Sequence, residues 1–147
     1  MAGARKAGRA PRQLGELTDV YDFLEEVRLR PGMWVRGHSL LHLESMLFGY
    51  QAALSVHGID ENSDLSTGSL GPFARWVGEK LGMAYPSALG WAVEIERASE
   101  QAGQPALEMF FDLLDEFRAS DHGDQQQAPA QAGQPPATKA QQPHAPD

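Results

Sequence analysis

Five apolar side chains, Leu107, Phe110, Phe111, Leu114 and Phe117, recur at three- and four-residue intervals within one short stretch. A strand would throw alternate residues to opposite faces, whereas a helix gathers all five on one side. Glu108, Asp112, Asp115 and Glu116 then fall on the other side, with Pro105 opening the helix and Gly103 breaking what precedes it. A helix loaded with rings on one face needs other helices to bury them. The expectation is an all-α domain of about five helices over residues 16–119, flanked by a disordered basic arm at 1–15 and a disordered Gln/Ala/Pro-rich tail at 120–147.

The other helices follow from the same spacing. Thr18 reads as a capping hydroxyl ahead of Asp19 and Asp22, and Val20, Phe23, Leu24 and Val27 form a stripe that ends near Arg28. Pro31 stops that helix, and residues 33–35 read as a structured loop closed by Gly37. Ser39 caps a central helix striped by Leu40, Leu43, Leu47, Tyr50 and Leu54, with Gly58 as a left-handed stop. Residues 59–71 are a loop by composition. Pro72 opens a short helix carrying Phe73, Trp76, Val77 and Leu81 up to Gly82. After a turn at Tyr85-Pro86-Ser87, Ser87 reads as the cap of a helix with Ala88, Trp91, Ala92, Ile95 and Ala98, although Val93 and Ile95 would also suit a strand.

Composition removes several chemistries. The chain has no cysteine, which excludes disulfides, thiolate metal sites and cysteine nucleophiles, and fits a reducing, cytoplasmic setting. No apolar run reaches the roughly 18 to 20 residues of a membrane helix. Twenty acids against twelve lysines and arginines give a formal charge of −8, which disfavours duplex nucleic acid and favours a basic protein partner. The bases Arg5, Lys6, Arg9 and Arg12 stand apart from that excess, so the arm is the one place suited to weak nucleic-acid contact.

The densest stretch chemically is Arg28-Leu29-Arg30-Pro31-Gly32-Met33-Trp34-Val35-Arg36-Gly37. With Leu24 to Val27 before it and Leu40 to Leu43 after it, this segment resembles the opening of the ATPase domain of type II topoisomerases. That resemblance implies a catalytic glutamate and a metal-binding asparagine on the following helix, and those positions fall on Met46 and Tyr50. Methionine cannot activate water, and tyrosine lacks the carboxamide oxygen that would hold magnesium, so ATP hydrolysis is not expected. Arg30 to Trp34, Ser39 to Tyr50, Gly90-Trp91 and the terminal Phe110 to Phe117 together resemble a group of small bacterial proteins, some of which look like immunity or antitoxin proteins. The resemblance spans about residues 20–118 and implies a helical fold and no established activity.

No Gly-x-Ser-x-Gly elbow or phosphate loop is present, and His38, His42, His57, His122 and His144 lack ligand spacing. No cofactor or metal is therefore expected. The expected function is non-enzymatic binding of a basic protein. Its contact residues would be Arg28, Arg30, Trp34 and Arg36 in the loop and Glu108, Asp112, Asp115 and Glu116 on the last helix. The alternative is an anion or nucleotide held by Arg28, Arg30 and Arg36. Trp34, off every apolar stripe, reads first as a plug in the helix packing.

Overall fold

A computed structural model describes residues 9–61, 64–65, 71–84 and 87–120. The described residues form α-helices and turns, without strands: α1 (Val20–Leu29), α2 (Pro31–Trp34), α3 (Leu40–Val56), α4 (Pro72–Lys80), α5 (Trp91–Ala102) and α6 (Ala106–Ala119), with 3-10 turns at Leu14–Glu16 and Arg36–His38. The all-α expectation holds, and residues 91–102 are helix rather than strand.

The helix ends show what the chain's punctuation does. Asp19, not Thr18, caps α1: its carboxylate accepts the Asp22 N–H at 2.9 Å, while the Thr18 hydroxyl donates to Asp22 at 2.7 Å. The hydroxyl thus steadies an acid of the first turn instead of capping the helix. Those Thr18 bonds, backbone N–H first and hydroxyl second, hold the Asp22 carboxyl below its ordinary pKa.

Pro31 both stops α1 and starts α2 as its first residue, where its missing N–H would be unpaired anyway. The segment read as a loop is therefore a single helical turn, followed by Val35 in extended conformation. Gly37 and His38 then take positive φ values of 63° and 53°, turning the chain into the cap of α3. Ser39 caps α3 as expected. Gly58, at φ 64°, ends it in a Schellman motif, with the Ile59 N–H donating to the Leu54 carbonyl at 2.9 Å.

Ser87 does not open α5. Gly90 is the cap residue, at φ 91° and ψ 165°, and the Ser87 hydroxyl oxygen instead accepts the Leu89 N–H. That backbone conformation suits glycine alone, so the helix starts three residues later than its apolar pattern. Tyr85 and Pro86, part of the expected turn, lie outside the described residues.

The core runs through α4, α5 and α6. Phe73 sits edge-on to Trp91 at 5.4 Å, to Phe110 at 5.8 Å and to Phe117 at 5.4 Å, and Trp91 stacks on Phe110 at 5.1 Å. The whole stripe of α6 is buried, with Leu113 added to it. Leu40, Leu43 and Leu47 bring α3 into the same core, and Leu65, a lone apolar residue in the polar connection, is buried there too.

The N-terminal region is tied down by polar groups. Glu26, on α1, has no exposed surface, and Arg9 (2.6 Å) and Arg12 (3.1 Å) close over it. Arg9 makes a close charge contact without hydrogen-bond alignment, whereas Arg12 donates from both its backbone N–H and its Nε. Burial pushes the Glu26 carboxyl up, and the Arg9 and Arg12 guanidiniums beside it outweigh that, leaving the pKa below its ordinary value. Arg9 and Arg12 are thus tied to α1, and the expectation of a disordered arm through residue 15 is corrected for residues 9–15. Residues 1–8 and 121–147 lie outside the described residues.

Candidate docking surface

The eight expected contact residues do not converge on one site. Arg28 and Asp115 bind each other through two parallel hydrogen bonds of 3.0 and 2.9 Å, and the Arg28 guanidinium also lies 5.2 Å from the Phe111 ring centre. Those bonds raise the Arg28 pKa against the opposing effect of burial. Glu116 pairs with Lys80 at 2.6 Å, and Asp112 accepts from the Gln104 side chain at 2.9 Å. Much of the acidic face of α6 is engaged within the molecule, and Glu108 is exposed beside it.

Arg30 and Arg36 are exposed and make no ion pair with a described residue. Trp34 is half-buried, packing edge-on against Phe23 at 5.4 Å, so it behaves as the expected plug rather than stacking on arginine. On α3, the Tyr50 hydroxyl donates to Glu61 at 2.8 Å, and the same Glu61 oxygen accepts the Val20 N–H at the start of α1. Tyr50 therefore ties a distant carboxylate to a helix N-terminus. Met46 is half-buried beside it in sequence.

The surface that sequence reasoning missed is the outer side of α3. Of its inward stripe, Leu40, Leu43 and Leu47 are buried and Tyr50 and Leu54 half-buried, whereas Leu41, Phe48 and Val56 are 39%, 62% and 81% exposed. At about 100° of rotation per residue, Leu41, Ser45, Phe48, Gly49, Ala52 and Val56 all lie within about 100° of arc. The helix is thus apolar on two sides, a pattern that belongs to helices covered all round. The signal was available: between Glu44 and Asp60 the sequence holds no charged residue.

Glu44 itself faces inward. One of its oxygens accepts the Ala92 N–H at 3.4 Å, capping α5 in place of the absent side chain of Gly90, where a Cβ would come within 3.0 Å of it. Burial raises the Glu44 pKa, with the Ala92 bond opposing and the charge of Glu96 adding. Since Glu44 is the one charged side chain of α3, the outer face is left without charge.

Gly49 lies near the middle of α3, and a Cβ built on it meets nothing within 4 Å. Glycine inside a helix costs roughly 1 kcal/mol relative to alanine, and no intramolecular packing here requires it. Met33 on α2 (64%) and Ile59 just after α3 (57%) are also exposed.

A cavity of about 10 Å³ beside Trp91, lined by Ala74, Val77, Gly78, Met83, Ser87 and Glu94, has space for about one water. The Trp91 Nε1 is buried with no hydrogen-bond partner among the described residues. Among the described residues no three His, Asp or Glu side chains are grouped to hold a metal ion, and no helix is long and apolar enough to cross a membrane. Compared with protein-family models, curated proteins and solved structures, the chain matches none.

Proposed function

We propose that this protein is a non-enzymatic binding module whose docking element is α3, and that its partner is an apolar helix face laid along Leu41, Phe48 and Val56. The observation that carries this reading is the exposure of those three side chains on one uncharged helix face. Apolar side chains gathered on one uncharged helix face are what an interaction site in a soluble protein presents.

The immunity- or antitoxin-type reading, with a basic partner on α6, asks more of the molecule. Asp115 and Glu116 would have to leave Arg28 and Lys80 before meeting a new cation. A basic partner is better met by Glu108 and Asp112 as a charged margin than as the anchor. The anion-binding alternative loses Arg28 to Asp115 and keeps only the exposed Arg30 and Arg36.

The test is photo-crosslinking in cells that make the protein, with benzoylphenylalanine placed at position 48 or 56 on α3, or at 79 on α4 as a control. Discrete adducts from 48 and 56, and none from 79, are expected. Absence of an adduct at both α3 positions refutes the docking role.

A further inference from the structure

Arg12 is held on α1 through all three of its guanidinium nitrogens and its backbone N–H. The Nε donates to one Glu26 oxygen at 3.1 Å, and the backbone N–H donates to the other at 3.2 Å. The Nη1 lies 3.3 Å from Asp22 Oδ1, and the Nη2 donates to the Asp22 backbone carbonyl at 3.3 Å. Arg9, three residues earlier in the chain, rests on the same Glu26 oxygen that takes the Arg12 Nε.

The groups that receive these arginines are built into the helix. Asp22 and Glu26 stand one turn apart, on one face of α1. Asp22 is steadied from its other side, where Oδ2 accepts the Thr18 N–H at 3.0 Å and the Thr18 hydroxyl at 2.7 Å, leaving Oδ1 for the guanidinium. The Glu26 side chain is 1% exposed, and among the described residues only Arg9 and Arg12 pair with it. A carboxylate this deeply covered requires a cation. The arrangement also selects which cation, because a guanidinium fork spans three separate acceptors and an ammonium, a single point of charge, does not.

The arm is fastened by these contacts alone. Ala10, Pro11, Gln13 and Leu14 around them are exposed, so no apolar side chain of the segment is anchored. An attachment made of charge and hydrogen bonds at a partly exposed site exchanges with any segment that offers the same groups.

We infer that α1 carries a binding site for an Arg-x-x-Arg segment of a partner protein, and that Arg9 and Arg12 occupy it as an internal stand-in that the partner displaces. The second arginine of the entering segment takes Glu26 and Asp22, and the first takes Glu26. This site is separate from the outer face of α3 and stands or falls without it. None of the chain's twenty acids lies in its first fifteen residues, so lifting the arm away leaves a more acidic body for a basic partner to meet. The entering segment competes with a tethered one, and its apparent affinity is lowered in proportion to the fraction of molecules whose site is open.

The test is calorimetric titration of the full chain and its variants with a synthetic peptide of residues 6–15, blocked at both ends. Arg9→Ala/Arg12→Ala opens the site, and the peptide should bind this variant about tenfold or more tightly than it binds the unaltered chain. Binding to the open variant should weaken about tenfold or more when the peptide carries lysine in place of its second arginine. Adding Glu26→Gln to the open variant should weaken it by about as much, because the charge is gone while the side-chain shape is kept. Arg12→Ala alone leaves Arg9 on Glu26 and carries the same comparisons if the double variant does not fold. Equal affinity for the open variant and the unaltered chain, equal binding of the lysine peptide, or binding indifferent to Glu26→Gln would each overturn the inference. So would a folded open variant that takes up no peptide.

Discussion

Phe73 is surrounded by rings; Glu26 is covered by two guanidiniums. The two residues are equally inaccessible to water, and they mark two ways of holding helices together in one chain. Around Phe73, four aromatic side chains from α4, α5 and α6 meet it within 6.4 Å, and packing is the whole interaction. Around Glu26, α1 is held by a segment that offers charge and almost no apolar surface. Rings stabilise wherever water is excluded, whereas the Glu26 contact depends on protonation and on which residues precede α1. The difference predicts where the molecule is robust and where it can be loosened.

The largest effect should come from the rings. Phe73→Ala removes a side chain with no exposed surface, and a loss of about 3–5 kcal/mol in denaturant unfolding is expected. A loss under about 1 kcal/mol would mean that the aromatic cluster closes around the gap and is not the rigid centre described here.

Glu26→Ala should cost less, roughly 1–3 kcal/mol, because the two arginines it abandons are partly exposed and regain water. Deleting residues 1–12 leaves the opposite orphan, a carboxylate with neither Arg9 nor Arg12, and should destabilise by a similar amount. Combining the two changes should cost much less than their sum, which a double-mutant cycle measures. Strict additivity would show that the arm and Glu26 act separately.

The smallest effect separates the buried Glu26 from the half-buried Glu44 by pH. The Glu26 pKa is depressed in the fold, so its contribution is present above about 4.3, the unfolded value, and is lost as pH falls through the lower folded value. Glu44 is raised, so the folded protein holds that proton more tightly and stability declines as pH rises from about 4.3 through the higher folded value. Melting temperatures at constant ionic strength should therefore flatten on the acid side in Glu26→Gln and above about 4.3 in Glu44→Gln. Glutamine at position 44 keeps an oxygen for the Ala92 N–H, so the helix cap survives the test. Identical pH profiles for the two variants would refute the contrast.

The ring-packed region was the legible one. Leu107, Phe110, Phe111, Leu114 and Phe117 announce their helix and its buried face by spacing alone, because a periodic apolar stripe has one economical burial. Arg9 and Arg12 gave no such signal: their partner lies in another element, and an arginine in a polar arm looks the same whether docked or solvated. Leu65 was missed because one apolar residue in a polar connection has no period. Ser87 misled because hydroxyl caps are common and the positive φ of Gly90, which delays the helix, leaves no mark except the glycine itself. The outer face of α3 was passed over for a different reason. Once Leu40, Leu43 and Leu47 explained the helix, Leu41, Phe48 and Val56 were not asked to explain anything.

The three tryptophans divide between the two regions in a way that bears on how the molecule can be watched. Trp34 touches Phe23 beside α1, while Trp76 and Trp91 belong to the cluster around Phe73. Each region thus contains its own fluorophore. With Trp34 replaced by phenylalanine, emission reports α4 to α6 alone, and with Trp76 and Trp91 replaced it reports the charged N-terminal region alone. Loosening of the arm and melting of the ring cluster become two separate optical signals, read without any added label.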